Sequence, residues 1–300
     1  MDGTSPQTYA RGVSFVLLAT LGWSISGLFV RLMPELSGWE INCWRGFWTA
    51  VSILCYLVLA YGQDTLNIFR RVPLTALFLS AGFFAFGSTM YVTSLTLAST
   101  AVVSVIGATS PLFTGLLSPW VTGEKPGWAA WSAAIMALVG MIVIAKDGLE
   151  AGNWIGMGVS LLVPLCFAMQ TLTLRRYRAV DMTPAICVGG VVAFLGAGFV
   201  GYVFQSGGGF DVPLKYVGLL ALMALLQLAI PLIFYAKGAR SVPAVTLSLI
   251  AMLDAVLNPL WPWLVVHEVP ERSAFIGGGI IIVAVVLSVL GPYLHRRNYA

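Results

Sequence analysis

The sequence predicts an all-α membrane protein of ten transmembrane helices, built as two inverted five-helix repeats. Three observations predict it: a composition too apolar for water, ten uncharged runs long enough to cross a bilayer, and an internal repeat whose copies each hold an odd number of runs. Of the 300 residues, 59% are hydrophobic and 9% charged, where a soluble domain carries roughly 25% charged residues. A water-soluble fold has no interior large enough to hide so much apolar surface.

A hydrocarbon core near 30 Å thick takes about 20 mostly apolar residues per helix. Runs of that kind lie near residues 13–30, 42–62, 74–97, 100–122, 128–145, 154–174, 184–205, 214–236, 243–266 and 273–293. Barrel strands would instead show segments of roughly ten residues alternating apolar and polar, so the continuous runs specify helices. The connections are short and charged, as in QDTLNIFRR after the second run and RRYRAVD after the sixth. Ahead of the first run, MDGTSPQTYAR holds a single basic residue, so that run reads as a retained helix rather than a cleaved leader.

Topology accounts for the net charge of +4. With the N-terminus inside, eleven of the sixteen Lys and Arg residues fall on the cytoplasmic side, four (Arg31, Lys146, Lys215, Arg272) on the other, and Arg45 within a run. The positive-inside rule then places both termini in the cytoplasm of a cell whose inner membrane holds the chain. The bilayer and a small solute are the expected partners, and nucleic acid is not. Cys43, Cys55, Cys166 and Cys187 all fall in apolar runs without CxxC spacing, which predicts small core residues and neither metal nor cofactor.

Sliding the chain against itself by 144 residues sets Gly12 on Gly156, Arg31 on Arg175, Cys43 on Cys187 and Gly46 on Gly190. After a local insertion near the third run it pairs Tyr91 with Tyr235, Glu124 with Glu268 and Pro126 with Pro270, so GEKP at 123–126 mirrors HEVP at 267–270. The units are 1–150 and 151–300, forming one integrated membrane domain. Five crossings per unit force the second copy into the membrane from the opposite side. Inverted copies about an axis in the membrane plane are the architecture by which many secondary transporters alternate access to a central site.

The two five-helix copies, the small-residue-rich fourth run ending in Gly-Glu-x-Pro at 123–126, its echo at 267–270, and Arg45 early in the second run resemble the drug/metabolite transporter superfamily. The likeness covers essentially the whole chain and is greatest to its ten-helix EamA-type exporters, the YddG-type aromatic amino-acid exporters above all. It implies a carrier that exports aromatic and other neutral amino acids or similar metabolites. Members often carry an acidic residue followed by Pro inside the fourth helix of a unit. This chain has Ser110-Pro111 in one copy and Asp254-Ala255 in the other.

An ionisable side chain deep in a span costs about 2.5 to 3.5 kcal/mol on insertion scales, so it faces a partner or a wet cavity. Asp254 lies midway along the ninth run and shares its helical face with Ile250 and Asn258. It reads either as a proton or substrate-ammonium site or as a structural bond to a neighbouring backbone or to Ser110. Arg45, near the end of its run, is expected to reach the outer surface or to pair with Glu35 or Glu40; the alternative is a fork for a substrate carboxylate. Glu124 and Glu268, each before x-Pro at a helix end, are expected to cap or pair locally.

A binding pocket wants apolar walls with a few polar groups. Trp23, Ser26 and Gly27 share one face of the first run, and the matched residues of the sixth are Phe167, Gln170 and Thr171. Phe83, Phe86, Gly87 and Met90 follow helical spacing in the third run; the eighth offers Gln227, Pro231 and Tyr235. Gln170 and Gln227 would be poorly placed against lipid. An aromatic and methionine lining suits neutral amino acids over a broad range. Proline within the runs permits bending, and GGG at 277–279 permits close helix packing or contact in a weak dimer of an otherwise monomeric chain.

Other classes lack their chemistry. Both histidines, His267 and His295, stand at or beyond run ends, no HExxH or nucleophile elbow occurs, and an enzyme is not expected. Neither a filter sequence nor a charge ring marks a channel, and no Walker A motif marks a self-contained ATP-driven pump. A drug or nucleotide-sugar carrier of the same fold is the runner-up, and the latter would want several deep basic residues.

Overall fold

The computed structural model describes residues 5–98, 100–146, 154–204, 210–258, 260–266 and 272–298. Every regular element among them is helical. The first crossing is α1 (Pro6–Trp23) followed by α2 (Ser26–Arg31), the second α3 (Gly38–Tyr61), and a short α4 (Thr65–Arg71) leads to α5 (Leu74–Leu97), the third. The fourth is α6 (Thr100–Gly107) with α7 (Ser110–Val121), the fifth α8 (Trp128–Ala145), the sixth α9 (Trp154–Arg176) and the seventh α10 (Thr183–Phe204). The eighth comprises α11 (Leu214–Met223) and α12 (Ile230–Gly238), the ninth α13 (Ala244–Ala251), α14 (Leu253–Leu257) and α15 (Leu260–Val266), and the tenth α16 (Arg272–Asn298). Among the described residues nine helical runs are long and apolar enough to cross a bilayer, and Ala244–Leu257 is a shorter apolar one.

Local chemistry sets the ends. Ser5 accepts from the Thr8 N–H with Pro6 at the first helical position of α1, where its missing donor is no loss. Ser37 and Glu40 form a reciprocal capping box at the start of α3, satisfying two otherwise orphaned backbone donors.

Several crossings expected to be continuous are broken. The fourth turns at Ala108–Thr109 before Pro111 in the first turn of α7, and the ninth breaks at Met252. These breaks lie 144 residues apart, as the repeat requires of one backbone device used twice. In the eighth, residues Ala224–Ala229 form a wide π-helical turn. Pro231 supplies no N–H to the carbonyl of Gln227 four residues before it, and the ladder widens to absorb the gap.

The pseudo-two-fold axis passes between α3 and α10. A Cβ added to Gly46 would stand 2.9 Å from the Gly190 carbonyl, and one added to Gly190 would stand 2.9 Å from the Gly46 carbonyl. Around that crossing the Cys43 thiol donates to the Phe194 carbonyl and the Cys187 thiol to the Ala50 carbonyl, both at 3.4 Å. Each member of one bond sits 144 residues from its counterpart in the other, the reciprocity expected of a two-fold contact. The glycine run in α16 serves packing inside the chain: Gly277 lies against Gly140 of α8, backbone to backbone.

Tyr9, at the start of α1, donates to the Val289 carbonyl near the end of α16 at 3.2 Å. Both ends of the bundle thus reach one face, hereafter the terminal face. Pro259, the glycines at 207–209, and 267–271 with Glu268 and Pro270 lie outside the described residues.

Candidate functional site

Arg45 turns inward. Its Nη2 donates to Asn42 Oδ1 at 2.9 Å and to Ser88 Oγ at 3.4 Å, and its Nη1 donates to Gln227 Oε1 at 3.4 Å. The expected pairing with Glu35 or Glu40 is not made: Glu35 binds Lys215 at 2.6 Å and Glu40 accepts from the Ser37 N–H at 2.6 Å. Each glutamate has a nearer partner at its own helix end, which leaves the guanidinium to the interior. Gln227 reaches it from the π turn of the eighth crossing, a distortion often found at functional sites. Tyr91 on α5 completes this end, within electrostatic reach of both Arg45 and Asp254.

Asp254 follows the break at Met252, and its Oδ1 is buried without a hydrogen-bond partner. Ser110, its counterpart after the other break, likewise has a buried unpartnered Oγ. The two therefore do not bond each other, contrary to the structural alternative for Asp254. Nearby, Asn258 Nδ2 donates to Ser26 Oγ at 3.4 Å and Trp261 Nε1 to Ser24 Oγ at 2.8 Å, joining α14 and α15 to the break in the first crossing.

Toward the terminal face lies a cluster of aromatic rings. Trp23, Phe167 and Tyr235 meet with centroid separations of 5.0 to 6.1 Å, the range of favourable tilted and edge contacts. The Tyr235 hydroxyl pairs with Thr171 Oγ1 at 2.8 Å, and Ser248 pairs with Thr114 at 2.8 Å. Below them, Glu124 Oε1 accepts from Arg175 Nε at 2.5 Å while Oε2 accepts from the Ala244 N–H at 3.0 Å. Arg175 Nη1 also donates to the carbonyls of Ala239 and Arg240. Glu124 thus does cap a helix, but one in the other repeat, and the expectation of a local partner is corrected. This latch joins the ends of the fourth, sixth and eighth crossings to the start of the ninth.

Tyr91 and Tyr235 are the same position of the two copies, yet Tyr91 is 41% exposed and Tyr235 1%. Tyr235 is thus enclosed near the terminal face, whereas Tyr91 keeps part of its surface outside the packed interior. Of the remaining predicted residues, Gln170 is buried and donates to Ser80 Oγ at 2.9 Å, which holds it against α5 rather than beside the rings. Phe83, Phe86 and Met90 do not join the Trp23 cluster, and Phe86 is 49% exposed. Sequence reading missed Asn42, Ser88, Tyr91 and the latch. Asn42 had a usable signal, lying one turn before Arg45 on one helical face.

The sequence profile of the EamA-like transporter family matches this chain twice, over residues 10–146 and 154–290. The chain belongs to the EamA-like transporter family. The two matches begin 144 residues apart, so this EamA-like chain carries the family's unit in both halves. Among curated relatives, the pseudopaline exporter CntI of Pseudomonas aeruginosa is 24% identical over 284 residues, covering 92% of this chain and 94% of that protein. Protein RarD of Streptomyces exfoliatus is 28% identical over 280 residues, covering 88% and 84%. A solved crystal structure superposes with a TM-score of 0.82 at 16% identity, over 94% of this chain and 98% of the other, a likeness of fold. The protein is therefore a multi-pass membrane transporter of small metabolites, of EamA-like type.

Proposed function

We propose that this transporter exports aromatic and other neutral amino acids, or closely similar zwitterionic metabolites, across the inner membrane by alternating access. The contrast between its equivalent tyrosines carries the reading. Tyr235 is enclosed near the terminal face while Tyr91, beside Arg45 and Asp254, keeps part of its surface outside the packed interior, an asymmetry that supports an end state of an inverted-repeat carrier. The excess of Lys and Arg in the terminal-face connections assigns that face to the cytoplasm. Export agrees with the name of the Pseudomonas relative.

In this reading the Trp23, Phe167 and Tyr235 rings form the floor against which an apolar or aromatic side chain rests. Gln227, Ser26 and Asn258 supply adaptable polar contacts. Asp254, buried beside a helix break with a free carboxylate oxygen, is the coupling group, taking a proton or the substrate ammonium. The breaks at Met252 and Ala108–Thr109 give the ninth and fourth crossings the places at which to bend.

The test is flux in proteoliposomes of tryptophan, phenylalanine, threonine and methionine, with and without a pH gradient, against protein-free vesicles. Saturable movement of several of them is expected. If folded protein moves none, the amino-acid reading falls, and weight passes to a drug or nucleotide-sugar carrier.

A further inference from the structure

Six buried side-chain nitrogen or oxygen atoms among the described residues lack a hydrogen-bond partner, and they sort by chemistry. The three nitrogens all stand on α3, namely Asn42 Nδ2, Arg45 Nε and Trp48 Nε1. The three oxygens, Ser110 Oγ, Gln170 Oε1 and Asp254 Oδ1, stand on other helices. One helix, α3, thus carries buried hydrogen-bond donors with nothing to receive them.

The amide of Asn42 cannot be turned to relieve this. Its Oδ1 receives Arg45 Nη2 at 2.9 Å and the Ser88 hydroxyl at 2.5 Å. A guanidinium has only donors, so the amide oxygen must face it and the NH2 must face away. Arg45 is itself underfilled. Its five N–H groups make three bonds, two of them at 3.4 Å, which is long for a hydrogen bond. All three acceptors are neutral, and among the described residues no carboxylate lies within ion-pair distance of Arg45. A permanent positive charge held inside a span by neutral groups alone is a costly arrangement that an incoming anion would relieve.

We infer that Asn42 and Arg45 form a subsite for the carboxylate of the transported solute. A carboxylate brings acceptors to both unfilled donors and one negative charge to the one positive charge. The guanidinium fork matches its geometry. A phosphate, with nearly two charges at neutral pH, would want a second cation, and Arg45 is the basic residue the sequence places within a span. Gln227 and Ser88, at the long end of hydrogen-bond distance, are the contacts an arriving carboxylate displaces most readily.

The inference rests on the exporter reading and is tested so that the two fail differently. Counterflow of phenylalanine in proteoliposomes is competed with phenylalanine, phenylalanine amide and phenylalaninol, in the natural protein and in Arg45→Gln and Arg45→Lys. The amide and the alcohol are expected to compete about 10- to 100-fold more weakly than the acid, the worth of a charge-assisted pair. In Arg45→Gln that preference vanishes, and Arg45→Lys restores part of it. Equal competition by acid and amide in the natural protein would overturn the carboxylate subsite while leaving the exporter intact. Failure of phenylalanine itself to move would overturn the exporter reading and this one with it.

Discussion

Replacing Glu124 by Gln should unlatch the terminal face. Both carboxylate oxygens accept, one from Arg175 Nε at 2.5 Å and one from the Ala244 N–H at 3.0 Å. Glutamine has one acceptor, so its NH2 must oppose one of those two donors, and the charge that balances Arg175 is gone. The Arg175 side chain is 2% exposed and that of Glu124 25%. Removing one member of a fully buried pair costs about 3 to 5 kcal/mol, and the partial exposure of Glu124 argues for about 2 to 3 kcal/mol here. That cost falls on the sealed state, and at 1.4 kcal/mol per decade it raises the population open at the terminal face by roughly 30- to 140-fold. Ser248, buried behind the latch and bonded to Thr114, is the reporter. With Ser248→Cys in a Cys55→Ala background, a membrane-impermeant maleimide added at the terminal face should label Glu124→Gln at least tenfold faster than its parent. Unchanged labelling, in protein with an unchanged melting temperature, would refute the reasoning. Unchanged labelling with a lowered melting temperature would make the pair a brace of the fold and not of the gate.

Three further expectations follow from named contacts. Asp254→Asn removes the charge from the buried position beside the ninth-crossing break; transport should lose its dependence on an imposed pH gradient, and retention of both rate and pH dependence would exclude a coupling role. A bulky side chain at the two-fold contact, as in Gly190→Leu, would be driven into the Gly46 carbonyl and Ala50, each about 3 Å away, and should cost several kcal/mol by overpacking, read as loss of folded protein on gel filtration; normal yield and melting would show that the crossing can separate. Burial alone would raise the Asp181 carboxyl, but bonds from the Thr183 hydroxyl and N–H and from Tyr61 outweigh it and hold it below its ordinary 3.8. A depressed carboxyl stabilises the fold above its unfolded pKa and loses that contribution as pH falls through the folded one, so melting should decline below about pH 4 and decline less in Asp181→Asn.

The architecture was legible because membrane spanning is a compositional demand and the repeat is written residue for residue. The offset of 144 marks Gly46 and Gly190 as equivalent positions, and the fold brings these two small residues together where backbones meet. The interior of the site was less legible. Trp23, Phe167 and Tyr235 come together as their helical faces imply, but Arg45 was assigned outward by its nearness to a run end and to two glutamates. Nothing local in the sequence says that Lys215 claims Glu35, whereas Ser37-x-x-Glu40 has the spacing of a capping box and does mark Glu40 for its own helix end. The latch was hidden for a related reason: Glu124 and Arg175 belong to different copies, and helical spacing relates residues only within one helix. The breaks were half legible, through Pro111 and Pro231; the one at Met252 has no proline and is seen only by its match to position 108.

The unequal tyrosines have an energetic meaning. If the two copies were identical, the inward-open and outward-open states would be mirror exchanges of equal free energy, and the carrier would rest in neither. Any preference must therefore be written where the copies disagree. Tyr235 closes its side with its hydroxyl on Thr171, whereas the residue that the repeat sets opposite Tyr91 is Gly27, which has no hydroxyl to offer. The Tyr235 side thus has a hydrogen bond for which the repeat offers Tyr91 no counterpart at position 27, and this threonine-for-glycine difference is one of the places where a preference between the two states can be written.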